Sequence, residues 1–167
     1  MSTINFKGQP MHISGTLPAP GSHAPDFCLT KTDLSEFSSK DLSGQRLVLN
    51  IFPSLDTPVC AASVRKFNET ASQLPEAQVL CISMDLPFAQ QRFCASEGLK
   101  QVVPLSAFRH SEFGQAYGVS ILDGALKGLL ARAIVIIATE GKVIYTELVP
   151  EITDEPNYAL ALAQLTR

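Results

Sequence analysis

A chain of 167 residues, 46% hydrophobic and 17% charged, is long enough for one domain that buries roughly 70% of its unfolded surface without metal or disulfide staples. Thirteen Lys and Arg stand against sixteen Asp and Glu, with no tryptophan and no basic run; this argues against nucleic-acid or anionic-membrane binding and leaves small molecules or proteins as partners. Residues 1 to 15 lack the charged start and apolar run of a signal peptide, and the apolar stretch near Leu129 to Ala138 is short and carries Arg132. The chain therefore reads as a cytoplasmic protein with no membrane contact.

Ile4 and Phe6, then Met11 and Ile13, alternate on either side of Gly8-Gln9 and predict an N-terminal β-hairpin over residues 1 to 15, added to the core. A short strand is expected around Ala24 to Leu29, followed by a polar, Ser-rich segment up to Gly44. Residues 47 to 52 are apolar without alternation, as in a strand covered on both faces, and Val64, Phe67, Ala71 and Leu74 then recur at helical spacing. Val79 to Met84 repeats the buried-strand pattern, after which Pro87 opens a helix that Gly98 closes. Val102 to Leu105 reads as extended, and His110 to Tyr117 as helical. Ala133 to Ala138 and Lys142 to Leu148 form a strand pair joined by Thr139-Glu140-Gly141, and Glu155 to Leu165 is a terminal helix. With no repeat or linker, residues 1–167 read as a single domain, a three-layer α/β/α sandwich with a mixed central sheet.

Cys60 ends the run Pro53-Ser54-Leu55-Asp56-Thr57-Pro58-Val59-Cys60. Threonine followed by proline is a helix-start signature, with Thr57 as N-cap and Pro58 at the first helical position, so Cys60 falls in the first turn. Unpaired backbone N–H groups and the positive end of the helix dipole favour a thiolate there, the form that attacks electrophiles. Position alone fits equally a buried cysteine acting as a small hydrophobe. Arg132 is a second anomaly, a permanent cation between Leu129-Leu130-Ala131 and Ala133-Ile134-Val135. A buried guanidinium needs an anion; the alternative is a strand-start arginine that reaches solvent or a surface carboxylate.

Four cysteines in a reducing compartment are more often reactive or buried thiols than a disulfide framework. Cys81 sits inside an apolar strand run and reads as an inert core residue, whereas the exposure of Cys28 is not legible. His12, His23 and His110 show no metal-ligand spacing with the cysteines or with each other. Neither a phosphate loop nor a cofactor fingerprint occurs, so no metal and no cofactor are expected.

The order of elements resembles the thioredoxin fold, yet no Cys-x-x-Cys occurs; the positions three before and three after Cys60 are Thr57 and Ser63. The segment instead reads Pro-x-x-x-Thr-x-x-Cys and resembles the peroxiredoxins. Phe52 to Asn68, Asp85-Leu86-Pro87-Phe88-Ala89 and Arg92-Phe93-Cys94 are similar to the thiol peroxidase branch in particular, as are Gly21 to Phe27 and Lys127 to Ala133. The likeness covers nearly the whole chain.

That resemblance implies a peroxidase of the atypical two-cysteine kind. Cys60 would be the peroxidatic cysteine, attacking hydrogen peroxide or an alkyl hydroperoxide and becoming a sulfenic acid. Thr57 would hydrogen-bond thiolate and peroxide, Pro53 would shield the thiolate from water, and Arg132 would hold the thiolate and polarise the peroxide oxygens. Cys94 would resolve the sulfenic acid as an intramolecular disulfide with Cys60, and thioredoxin would recycle the pair. The branch also implies a homodimer, and Leu86 and Phe88 are expected near the site. Two other readings stay open at this point: a peroxide-sensing relay protein without rapid turnover, and a non-catalytic interaction module.

Overall fold

The computed structural model describes residues 2–42, 44–74 and 76–165. Its N-terminal hairpin pairs β1 (Ser2–Phe6) with β2 (Gln9–Ile13) in a separate two-stranded sheet. The turn falls one residue earlier than expected, on Lys7 (φ 51°) and Gly8 (φ 78°), because a two-residue hairpin turn of this twist needs positive φ at both central positions. In the polar segment before Gly44, β3 (Cys28–Thr30) is followed by a strand that the sequence pattern does not announce, β4 (Glu36–Ser38).

The remaining order is β5 (Arg46–Ile51), α1 (Pro58–Ala71), β6 (Ala77–Ser83), α2 (Pro87–Glu97), β7 (Val102–Ser106), α3 (Ser111–Ala116), β8 (Ala133–Ile137), β9 (Val143–Leu148) and α4 (Tyr158–Leu165). Gly98 closes α2 in the left-handed conformation (φ 68°), where an L side chain would be strained. These strands form one mixed sheet ordered β4-β3-β7-β6-β5-β8-β9, with β5, β6 and β7 parallel and β8 antiparallel to β5. Residues alternate between its faces. Leu47, Leu49 and Ile51 pack with Phe113, Tyr117 and the hairpin residues Ile4, Met11 and Ile13. Val48, Val79 and Ile134 meet Val64 and Phe67 of α1 and Ala161 and Leu165 of α4 on the opposite face. The result is the expected thioredoxin-like sandwich.

Parallel strands bring the connections after β5 and β6 to the same end of the sheet, where one carboxylate ties them together. Asp85 accepts hydrogen bonds from the Ser54 hydroxyl (2.8 Å), the Leu55 amide (2.8 Å) and the Ser83 hydroxyl (2.7 Å), while its own carbonyl accepts from Ser106 Oγ (2.5 Å). Bonds to a charged acceptor contribute roughly 1.5–3 kcal/mol each and are not additive. Asp85→Ala is therefore expected to lower unfolding free energy by about 2–4 kcal/mol, as a reduced midpoint in urea with an unchanged slope.

Candidate functional site

Cys60 lies at the end of the Asp85-tethered connection. Thr57 has the extended backbone of an N-cap (φ −108°, ψ 144°), Pro58 is the first helical residue, and the Ala61 amide donates to the Thr57 carbonyl (3.0 Å). The threonine hydroxyl does not cap the helix. It donates to the Ser54 carbonyl (2.9 Å), so its oxygen keeps acceptor capacity and no side chain caps the first turn. Cys60 itself is fully buried with Val64 and Phe67. Ser63 Oγ donates to the Cys60 carbonyl (2.9 Å) and accepts from Asn50 Nδ2 (3.3 Å), which fixes the turn against β5.

Arg132 immediately precedes β8. Because β8 runs antiparallel to β5, with Ala133 opposite Ile51, its start lies beside the exit toward Cys60. The side chain is 2% exposed, which excludes the reading as a solvent-facing arginine. Its Nε (3.0 Å) and Nη2 (2.8 Å) donate to the Ile152 carbonyl, and Nη2 also reaches Cys60 Sγ at 3.3 Å. Nη1 has no hydrogen-bond partner among the described residues. A buried cation is costly without compensating partners, and among the described residues the Ile152 carbonyl and the Cys60 sulfur are the acceptors this guanidinium has.

The N-terminal hairpin fixes that carbonyl. The Asn5 amide donates to the Pro150 carbonyl (2.7 Å), the Ile152 amide donates to the Asn5 carbonyl (2.9 Å), and the Glu151 carboxylate accepts from the amides of Lys7 (2.8 Å) and Gly8 (3.1 Å). These amides, with the Thr153 hydroxyl, hold the Glu151 carboxyl below the usual carboxylate range. An element read as an addition to the core therefore supports the site.

Pro53, Thr57 and Arg132 meet around a cavity of about 130 Å³ otherwise lined mainly by apolar groups: Phe6, Val59, Leu126, Leu129 and Ile152. Neither Leu86 nor Phe88 lines it; both are exposed, 51% and 64%, at the start of α2. The apolar lining comes instead from the hairpin and the segment before β8, which only tertiary packing brings together. A larger cavity of about 380 Å³, between His23 to Phe27, Lys40 and the β8–β9 turn, contains none of the expected site residues. Tyr158, which sequence reasoning passed over, lies close enough to feel the charges of Arg132 and Cys60; burial pushes its phenol up, and its ring stacks edge-on against Phe67 at 5.5 Å.

Cys94 is outside the cavity, half-buried on the neighbouring α2. Arg65 of α1 binds Glu97 of α2 through two hydrogen bonds (3.0 and 2.7 Å) and lies over the Phe93 ring, so the two helices are side by side. All four cysteines are free thiols. Burial pushes the Cys94 thiol up, and pushes the wholly buried Cys81 up to about 12, in keeping with an inert core residue. Among the described residues, no helix is long and apolar enough to cross a membrane.

A family model described as Redoxin matches residues 19–162. The thiol peroxidase of Mycobacterium tuberculosis is 58% identical over 165 residues, covering 99% of each chain, and that of Corynebacterium glutamicum is 53% identical over the same span and coverage. Among solved structures, a peroxiredoxin-like protein from Aquifex aeolicus superposes with a TM-score of 0.94 at 43% identity, over 99% of this chain and 96% of that one. With the family model spanning most of its length and these relatives spanning nearly all of it, the chain belongs to the Redoxin family.

Proposed function

We propose that this chain is a thiol peroxidase that reduces hydrogen peroxide and alkyl hydroperoxides through Cys60 and Cys94 and is recycled in the cytoplasm by thioredoxin. The observation that carries the reading is the 3.3 Å contact between the buried Arg132 guanidinium and Cys60 Sγ. Identity with thiol peroxidases along the whole chain favours turnover over a sensing relay. A homodimer is part of the same reading.

Attack by the Cys60 thiolate on the distal oxygen of ROOH forms an S–O bond and breaks the O–O bond. The leaving alkoxide takes a proton and departs as alcohol or water, and Cys60 becomes a sulfenic acid. Arg132 Nη2 stays on the sulfur while Nη1 donates to a peroxide oxygen, meeting charge as it develops. The Thr57 oxygen accepts from the hydroperoxide O–H, and Pro53 with the apolar lining keeps water away. In the second step the Cys94 sulfur attacks the Cys60 sulfur, forming the disulfide and expelling water; two thiols of thioredoxin then take up the oxidation.

Resolution needs motion, because Cys60 is enclosed and the Cys94 thiol is held protonated by burial. Two features make that motion accessible: the first turn of α1 has no side-chain cap, and α2 buries only Pro87 and Gln90. Opening of both segments exposes Cys94 and restores an ordinary thiol. In stopped-flow measurements, disulfide formation is expected to accelerate as pH rises from 7 to 9, since the thiolate fraction grows about tenfold per unit below its pKa.

Peptide mapping after one equivalent of peroxide tests the assignment. A linked Cys60–Cys94 peptide is expected; Cys28 or Cys81 in that bond overturns the resolving role. Cys60→Ser should abolish peroxide consumption, while Cys94→Ser should consume about one equivalent and then stop. Arg132→Lys, a point charge in place of a planar fork, is expected to slow oxidation of Cys60 by roughly 10²-fold or more while slowing disulfide formation far less. Equal slowing of both steps would make Arg132 a structural residue.

A further inference from the structure

Three donors from three elements converge at the far edge of the sheet. Cys28 and Glu36 are diagonal neighbours on one face of the β3–β4 pair, Leu29 and Phe37 being paired on the other. His110 enters from the N-cap of α3. Cys28 Sγ lies 3.5 Å and His110 Nε2 2.6 Å from the same oxygen, Glu36 Oε2, and the three atoms lie within 4.8 Å of one another. We propose that Cys28, Glu36 and His110 form a binding site for a zinc ion, contrary to the expectation from sequence that none of the histidines is a metal ligand.

Geometry and supporting contacts favour this reading. Tetrahedral zinc with sulfur at ~2.3 Å and nitrogen or oxygen at ~2.0–2.2 Å separates its ligand atoms by about 3.4–3.6 Å. The Cys28–Glu36 spacing already has that value; the His110–Glu36 contact must widen by under about 1 Å, a shift open to the exposed Glu36 side chain. The other oxygen of Glu36 is taken by Arg109 Nη2, which turns Oε2 toward the sulfur and the imidazole. His110 Nδ1 lies 3.0 Å from Glu112 Oε1, the carboxylate–histidine arrangement that orients a ligating imidazole and makes its other nitrogen more basic.

A zinc clip also answers a weakness in the fold, since β3 is paired with β7 only at Thr30 and Ser106. Water on the exposed side completes the four-coordinate set.

The test is zinc chloride titrated into the reduced, metal-free full chain by calorimetry, with iodoacetamide mapping of each cysteine. Expected are one saturable equivalent per chain, protection of Cys28, and affinity weakened about tenfold or more in Cys28→Ser and His110→Ala. Should His110→Ala lose its thermal transition, Glu112→Gln serves instead, with an affinity loss of about tenfold. Zinc uptake that protects Cys60 or Cys94 but not Cys28, uptake unchanged in these variants, or no saturable uptake overturns the proposal.

Discussion

The contact between the Arg132 guanidinium and the Cys60 sulfur is the constraint around which the rest of the molecule is arranged. A permanent cation taken out of water demands compensation. Here the Ile152 carbonyl accepts from two of its nitrogens, but a neutral acceptor does not cancel a charge. The guanidinium's remaining contact among the described residues is the Cys60 sulfur, 3.3 Å from Nη2. Reversal of β8 relative to β5 is what allows this meeting, because it starts one strand where its neighbour ends. Were β8 parallel to β5, its first residue would emerge at the opposite end of the sheet.

Anchoring differs sharply between the two cysteine-bearing helices. The body of α1 is held by Val64, Phe67 and Ala71 in the core, and its first turn, which carries Cys60, lacks a side-chain cap. By contrast, α2 is tied at its start by Pro87 and by Gln90, which donates to the Ser83 hydroxyl and the Leu105 carbonyl. Its Cys94-bearing end is held by Phe93 and Leu99, partly buried against the core, and by the Arg65–Glu97 pair at the surface; such exposed ion pairs add little stability. Core packing thus holds α1 along its body, while α2 buries only Pro87 and Gln90.

Much of this was legible in the residues, and the reasons are local. Buried strands followed by proline-started helices mark β5–α1 and β6–α2, and Thr57-Pro58 places Cys60 in the first turn from local pattern alone. Arg132 stood out because a charge interrupted an apolar run. Features that depend on distant parts of the chain were not legible: a three-residue strand such as β4 has too few positions to show a period, and no pattern links Phe6 to Leu129 across one cavity. Leu86 and Phe88 drew notice because they adjoin the motif in sequence, yet they face outward. The juxtaposition of His110 with Cys28 and Glu36 was invisible for the same reason, since spacing rules address neighbours along the chain rather than across a sheet edge.

The hairpin at the amino terminus has a consequence beyond its small size. Its backbone fastens the carbonyl that steadies the arginine, and Phe6 contributes to the wall above it. A tether, tag or clipped residue at that end therefore pulls on the electrostatics of a sulfur more than fifty positions away. A chain altered there would report a different enzyme while keeping Cys60 and Arg132 themselves intact.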